Sequence, residues 1–281
     1  MRLISITVLK NEEDIIESFV RYHVNFMDQM LMLDTHSTDA TLDILAKLAA
    51  EGLPVRILKK PPAAAFEQAE WTNELLALAV GQYQADIVFP LDADEFVFSS
   101  GKNNRETLIK NIDLTSLNVC VWQTYIPQPN DCAQEHFIPK KITNIRRAAL
   151  ESFHKIICPA NLVRKYSLKL TAGNHDAVAA GSGQNQLKYY RSAVLKIAHY
   201  PIRSANQLAK KILTGWLANL ARSNRPSGEL FHQKIIFDKL AQGEAVTPED
   251  CTELALSYAL TKPVPPPRTE CIMQPLKSGI L

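Results

Sequence analysis

LISITVL at Leu3–Leu9, QMLMLD at Gln29–Asp34, VRIL at Val55–Leu58 and DIVFPLD at Asp86–Asp92 are four short β-rich runs, and what lies between them decides the fold. EEDIIESFVRYHV (Glu12–Val24), TLDILAKLAAE (Thr41–Glu51) and a longer helical stretch ending at Tyr83 separate them, each amphipathic. A β-α-β-α-β-α-β series has its strands joined by crossovers, which predicts a parallel sheet covered on both faces. Helix starts agree: Asn11 is expected to cap a first turn of Glu12, Glu13 and Asp14, and Ser37, Thr38 or Asp39 to cap the second helix. The carboxyl ends of such strands are where ligands bind.

Beyond residue 100 the pattern loosens. A helix is expected around Asn104–Ile112, strands at NVCVWQTYI (Asn118–Ile126), KIIC (Lys155–Cys158) and LKLTA (Leu168–Ala172), and a polar, proline-interrupted stretch from Pro127 to Pro139. SANQLAKKILTGWLANLARS (204–223) has an amphipathic helical pattern, and a further helix is expected over 248–261. Prolines 263, 265, 266 and 267 exclude helix and central strand, so an extended arm is expected from residue 263. The expected division is a core over 1–203 with halves at 1–100 and 101–203, helices over 204–262 and a tail over 263–281.

Composition excludes several classes. The 281 residues are 46% hydrophobic and 21% charged, ordinary for a globular chain with a sizeable core. A net charge of +2 gives no basic surface for nucleic acid. Cys120, Cys132, Cys158, Cys251 and Cys271 are odd in number and contain no CxxC pair, which speaks against a disulfide framework or zinc site and for a reducing, cytoplasmic compartment. No window nears the roughly 20 apolar residues that cross a bilayer, so membrane contact is expected to be peripheral, at the inner face.

DIVFPLDADEF (Asp86–Phe96) runs an apolar strand straight into Asp92, Asp94 and Glu95. In an extended backbone Asp92 and Asp94 project to one side, where both can face a hard cation such as Mg²⁺ or Mn²⁺ and, through it, a diphosphate. A solvated acidic turn is the plainer alternative. A two-metal nuclease would need further carboxylates that the chain does not offer at recognisable positions.

LKNEEDIIESFVRYH (Leu9–His23), LDTHSTDATLDIL (Leu33–Leu45), LDADEF (Leu91–Phe96), AGNHDA (Ala172–Ala177) and HYPIRSANQLAKK (His199–Lys211), taken in order, resemble the family 2 glycosyltransferases of GT-A fold, in the bacterial branch with a Lys-Asn-Glu opening and an Asp-x-Asp-Glu-Phe motif. The resemblance implies an α/β, Rossmann-like nucleotide-diphospho-sugar transferase fold with a mostly parallel sheet and a helical carboxyl-terminal part. It implies transfer of a sugar from a nucleotide-diphosphate donor, expected to be a UDP-sugar, to a hydroxyl of a glycan or lipid-linked acceptor, metal-dependent and inverting. Carried over residue by residue, it implicates Asn11, Glu12, Asp34 and Asp39 in holding the nucleotide base. It places Asp94 on the metal, with Asp92 on the ribose or the metal. His199, closing the strand-like VLKIAHY, matches a third ligand, and Arg203 and Lys211 would steady phosphate oxygens. Asp39 also reads as a helix cap, Glu12 as a first-turn acid, and His199, Arg203 and Lys211 as ordinary structural or solvated residues.

The standard general-base motif of inverting members and the QxxRW motif are both missing. Asp176, with His175 beside it in the glycine-containing AGNHDA loop, is the first candidate for the base, and Glu151 the other. Lys140, Lys141, Arg146, Arg147, Lys155, Arg164 and Lys165 are expected to be mostly solvated surface, offering at most a weak attraction to an anionic acceptor. Two rivals stand beside transfer: a nucleotide-sugar-binding module without turnover, and a haloacid-dehalogenase-like phosphotransferase, which carries its Asp-x-Asp on the first strand.

Overall fold

The computed structural model describes residues 1–60, 68–146, 153–220, 231–258 and 270–271. In chain order the elements begin β1 (Leu3–Leu9), α1 (Ile16–His23), β2 (Gln29–Asp34), α2 (Thr41–Ala50), β3 (Val55–Lys59), α3 (Gln68–Gly81), β4 (Ile87–Pro90), β5 (Glu95–Ser99), α4 (Arg105–Lys110) and β6 (Leu117–Ile126). They continue with α5 (Ile138–Lys141), β7 (Asn144–Ile145), β8 (His154–Pro159), α6 (Ala160–Tyr166), β9 (Lys169–Leu170), β10 (Ala177–Val178), β11 (Tyr189–His199), α7 (Ala205–Leu220), α8 (Phe231–Ala241), α9 (Pro248–Ser257) and β12 (Glu270–Cys271). Two units result: Met1–Gln123 with Leu150–His199, and Thr124–Ala149 with Tyr200–Leu281.

In the first unit the strand order is β6-β8-β4-β1-β2-β3. The strands β3, β2, β1 and β4 are parallel, as the crossovers require, and β8 is antiparallel to β4 and to β6. Strands covered on both faces read as unbroken apolar runs, and IVFP of β4 is buried at every position. On one face Ile4, Ile6, Leu31, Leu33 and Val88 meet Trp71, Leu75, Leu76 and Ala79 of α3, the period-two register of each strand turning one set of side chains toward that helix. This is an α/β fold with a central parallel sheet, as the sequence implies, its parallel half extended by antiparallel strands. Among the described residues no helix is long and apolar enough to cross a membrane.

β5 pairs on one edge only with β11, antiparallel, in the register Glu95↔His199 through Ser99↔Leu195. Its other edge is met by α1. Val97 donates its amide to His23 Nε2 at 3.3 Å, and the Val97 carbonyl accepts from the Tyr22 hydroxyl at 3.0 Å. His23 Nδ1 donates to the Phe19 carbonyl at 3.0 Å, which leaves Nε2 as the acceptor. Burial holds this imidazole neutral, its pKa pushed down to about 3.

In the second unit β7 pairs with Tyr125 and Ile126 at the end of β6 and with β12. Ile202, Leu208, Ile212, Ile236, Cys251, Leu254 and Leu256 form a core among α7, α8 and α9. A capping box of Thr247 and Asp250, with proline at the first turn, starts α9. The helix α8 is absent from the sequence expectation: FHQKIIFDKLA has little amphipathic contrast to announce it. The Glu151 candidate, Arg147 and all of the expected tail except Glu270 and Cys271 lie outside the described residues.

Two helix starts differ from expectation. The first helix begins at Ile16, with Ile15 at its cap position, and Asn11 lies four residues upstream at a φ of 57°. The second is capped by Ala40, while the Asp39 carboxylate accepts from the Thr41 amide at 3.0 Å. Asn11 thus serves the loop ahead of its helix, while Asp39 bonds the first amide of the second helix from one residue before the cap position.

Candidate functional site

The acidic motif is a turn and not an extended strand. β4 stops at Pro90, the Glu95 amide donates to the Asp92 carbonyl at 3.0 Å, and the Asp92 amide donates to Glu95 Oε2 at 2.9 Å. In the turn the two aspartates have different partners. Asp92 Oδ2 accepts from Lys155 Nζ at 2.7 Å. Asp94 Oδ1 lies 3.8 Å from His199 Nε2. The β5–β11 ladder explains the second pairing, because setting His199 opposite Glu95 brings the imidazole beside the preceding residue.

Lys155 corrects the surface reading of the basic residues. It is 1% exposed, and its ammonium also lies 3.2 Å from Oε2 of the fully buried Glu95. Burial alone would lower the lysine pKa, but the attraction of Asp92 and then Glu95 outweighs it and holds the group charged. Burial drives the Glu95 carboxyl well above the ordinary carboxylate range, opposed by Lys155 and reinforced by Asp92 and Asp94. Glu95 Oε1 has no hydrogen-bond partner among the described residues. The signal in the sequence was the strand HKIICP itself, where one lysine sits among buried apolar residues; a charge there needs a partner. Arg146 is a second correction: it is buried in the second unit, donating to the Leu256 and Tyr258 carbonyls at 3.1 and 2.8 Å.

Trp122 also went unread. Its ring stacks on His199 with centroids 4.1 Å apart, and it meets the edge of His175 at 5.4 Å. His175 Nδ1 donates to the His154 carbonyl at 2.6 Å, leaving Nε2 without that proton. Burial lowers its pKa, so it is neutral at pH 7. The imidazole lies over Gly173, whose φ is +75°; a Cβ there would stand 2.7 Å from Cδ2 and Nε2 of the ring. Asp176 points elsewhere: it is exposed and accepts from the Tyr189 hydroxyl at 2.7 Å and from the Ala177 amide at 2.7 Å.

The four residues expected to hold a base cluster in two loops that bond each other. Asn11 accepts from the Thr38 amide at 2.8 Å while its own amide donates to Ser37 Oγ at 2.9 Å. The Glu12 amide donates to Thr41 Oγ1 at 2.8 Å, and the Glu13 amide to Asp39 Oδ2 at 3.2 Å. Asp34, 3% exposed, accepts from the His36 amide at 3.1 Å and the Ser37 amide at 3.2 Å. The structure therefore brings Asn11, Glu12, Asp34 and Asp39 together, with the side chains of Asn11, Asp34 and Asp39 engaged by main chain. Arg203 and Lys211 belong to the second unit, where they donate to the Tyr200 and Pro201 carbonyls at 3.0 and 3.1 Å.

Asp94 Oδ1 and His199 Nε2 stand close enough for one divalent cation to reach both. Two donors at bond lengths of about 2.1 Å can be spanned by one ion up to about 4.2 Å apart, and the observed 3.8 Å lies inside that reach. Among the described residues no three His, Cys, Asp or Glu side chains form a ready-made metal cluster. That donor count suits Mg²⁺ or Mn²⁺, which take one or two protein ligands and complete their shell with water and substrate phosphates.

No protein-family model and no curated protein matches the chain. Among solved structures, it is similar to the mannosyltransferase PcManGT from Pyrobaculum calidifontis, in complex with GDP-Man and Mn²⁺, at 15% identity and a TM-score of 0.44 over 80% of this chain and 66% of that one. GalNAc-T7 with UDP, GalNAc and Mn²⁺ gives 13% identity and a TM-score of 0.42 over 71% of this chain and 44% of that one. A 4-diphosphocytidyl-2C-methyl-D-erythritol synthase gives 13% identity and 0.35 over 58% and 78%. The chain thus spans less than half the length of GalNAc-T7. Similarities of this size carry no function over to it.

Proposed function

We propose that the chain is a glycosyltransferase that moves a sugar from a nucleotide-diphosphate donor to a hydroxyl acceptor, with a divalent cation held by Asp94 and His199. The observation that carries this reading is the 3.8 Å approach of Asp94 and His199, just past the carboxyl end of the fourth parallel strand. When bound, the cation supplies neutralisation of the diphosphate leaving group. Asn11, Glu12, Asp34 and Asp39 act on the nucleotide through the paired loops they hold, and a uridine diphosphate sugar is the donor to test first. A glycan or lipid-linked acceptor, an inverting course and a cytoplasmic setting, peripheral to a membrane at most, complete the proposal.

For the general base we favour His175 over Asp176. What supports it is its contact with Trp122, which itself stacks on His199, and a neutral ring whose Nε2 can take the acceptor hydroxyl proton. Asp176 stands instead against Tyr189. The acidic turn follows the fourth strand and not the first, against the order expected of a haloacid-dehalogenase-like phosphotransferase. Release of UDP from UDP-sugars, with and without Mn²⁺ and acceptor, tests the reading and separates an enzyme from a binding module. Release that needs Mn²⁺ and is lost in Asp94→Ala supports transfer. Binding of the donor without any release would establish a module.

A further inference from the structure

We infer that Lys155 is the resident counter-cation of the acidic turn and couples metal binding to diphosphate binding: it occupies Asp92 in the free protein and leaves the cation only a weak site until a diphosphate arrives. This rests on the glycosyltransferase reading above.

The lysine rises from a strand of the central sheet. Its main chain is held in the ladder with β6, in the register Cys120↔Lys155, while β4 takes up β8 three residues further on at Val88↔Cys158. The ammonium reaches Asp92 at 2.7 Å and Glu95 at 3.2 Å, using two of its three donors. A divalent ion seeks the same carboxylate oxygens, and it is repelled by a buried positive charge next to them. With Lys155 in place the protein offers the ion Asp94 and His199, which is a sparse donor set. A diphosphate brings negative charge that both cations attract, since lysine binds phosphate as readily as carboxylate. Metal and nucleotide then strengthen each other's binding, by the same factor in either order. Trp122 stands beside the exchange, the ammonium 6.0 Å from its ring centroid.

The test is Mn²⁺ binding followed by electron paramagnetic resonance, with and without UDP, in wild-type protein, Lys155→Met, Lys155→Arg and the double variant Lys155→Met/Glu95→Gln. The double variant removes the lysine together with its buried carboxyl partner and so guards against misfolding of the single one. In the wild type UDP is expected to tighten Mn²⁺ binding by about tenfold or more. Without UDP, Lys155→Met and the double variant are expected to bind Mn²⁺ about tenfold more tightly than wild type, the scale of a neighbouring unit charge at a partly screened site, whereas Lys155→Arg stays weak. Equal wild-type affinity with and without UDP overturns the inference, as does a folded Lys155→Met or double variant no tighter than wild type. If Mn²⁺ binds in an Asp94-dependent way but ignores Lys155, only this inference fails. If wild type takes no Mn²⁺ even with UDP, the metal-dependent reading fails with it.

Discussion

The acidic turn and the pair of loops that follow β1 and β2 both stand at the carboxyl edge of the parallel strands and both are rich in Asp and Glu, but Asp92 and Asp94 of the turn use their carboxylates differently from the acids of the loops. In the loops, Asp34, Asp39 and Glu13 accept from main-chain amides of His36, Ser37, Thr41, Glu13 and Ala40. In the turn, Asp92 and Asp94 meet other side chains, Lys155 and His199. A carboxylate bonded to amides is a fastener whose loss leaves buried donors unsatisfied. One facing a charged or metal-ligating side chain has a partner that can be exchanged for an ion or substrate. On the proposed reading the same two residue types give scaffold in one place and chemistry in the other.

The largest expected effect lies in the turn. Asp94→Ala should lower turnover by more than about 10²-fold with the melting temperature held within about 2 °C, because its buried carboxylate stands just ahead of a strand, beside His199. Wild-type turnover in saturating Mn²⁺ would remove the turn from the chemistry. In the loops the balance should invert: Asp34→Ala should cost about 1–3 kcal/mol of stability, the worth of hydrogen bonds between a carboxylate and main-chain amides, with turnover per folded molecule nearly unchanged. Loss of UDP affinity at full stability would make Asp34 a direct nucleotide contact and break the comparison.

The support beneath the turn should answer to pH. His23 is held neutral in the fold, so as pH falls below the ordinary imidazole value the unfolded chain takes up a proton that the native state refuses. Stability from this group is complete above about pH 6.5 and is lost as pH falls through that value toward about 3. Urea melts between pH 7 and 5 should show a slope approaching about 1.4 kcal/mol per pH unit, flattened in His23→Gln. An unchanged slope in that variant would assign the acid sensitivity elsewhere. The smallest effect is expected at Gly173→Ala, where the positive φ costs about 1 kcal/mol and the new methyl displaces the His175 ring. Turnover should fall several-fold in a pH-rate profile whose acidic limb moves. An unmoved limb would argue against His175 as base.

Much of this was legible in the sequence, for stated reasons. Parallel strands and crossovers leave periodicities that survive in one chain, and LDADEF announced itself by following an apolar run. The turn geometry was not legible, since hydrogen bonds from Glu95 back to Asp92 fold a stretch whose alternation reads as strand. Lys155 was hidden by composition: among six other basic residues it looked solvated, and only the pairing of β8 between β4 and β6 shows that it is buried. Trp122 was hidden because an aromatic in a strand ordinarily means core. The capping residues misled through an offset of a few positions, as Asn11 and Asp39 bond across loops that the sequence places far apart.

The central claim is that Asp94 and His199 together hold one cation, and the most direct measurement is Mn²⁺ affinity in the presence of saturating UDP for wild type, Asp94→Asn, His199→Gln and the double variant. The account predicts that each single substitution weakens binding by about 10-fold or more and that the double variant loses little beyond the worse single one, because the two ligands serve one ion. Mn²⁺ bound with wild-type affinity by both single variants, in protein that melts normally, would contradict it.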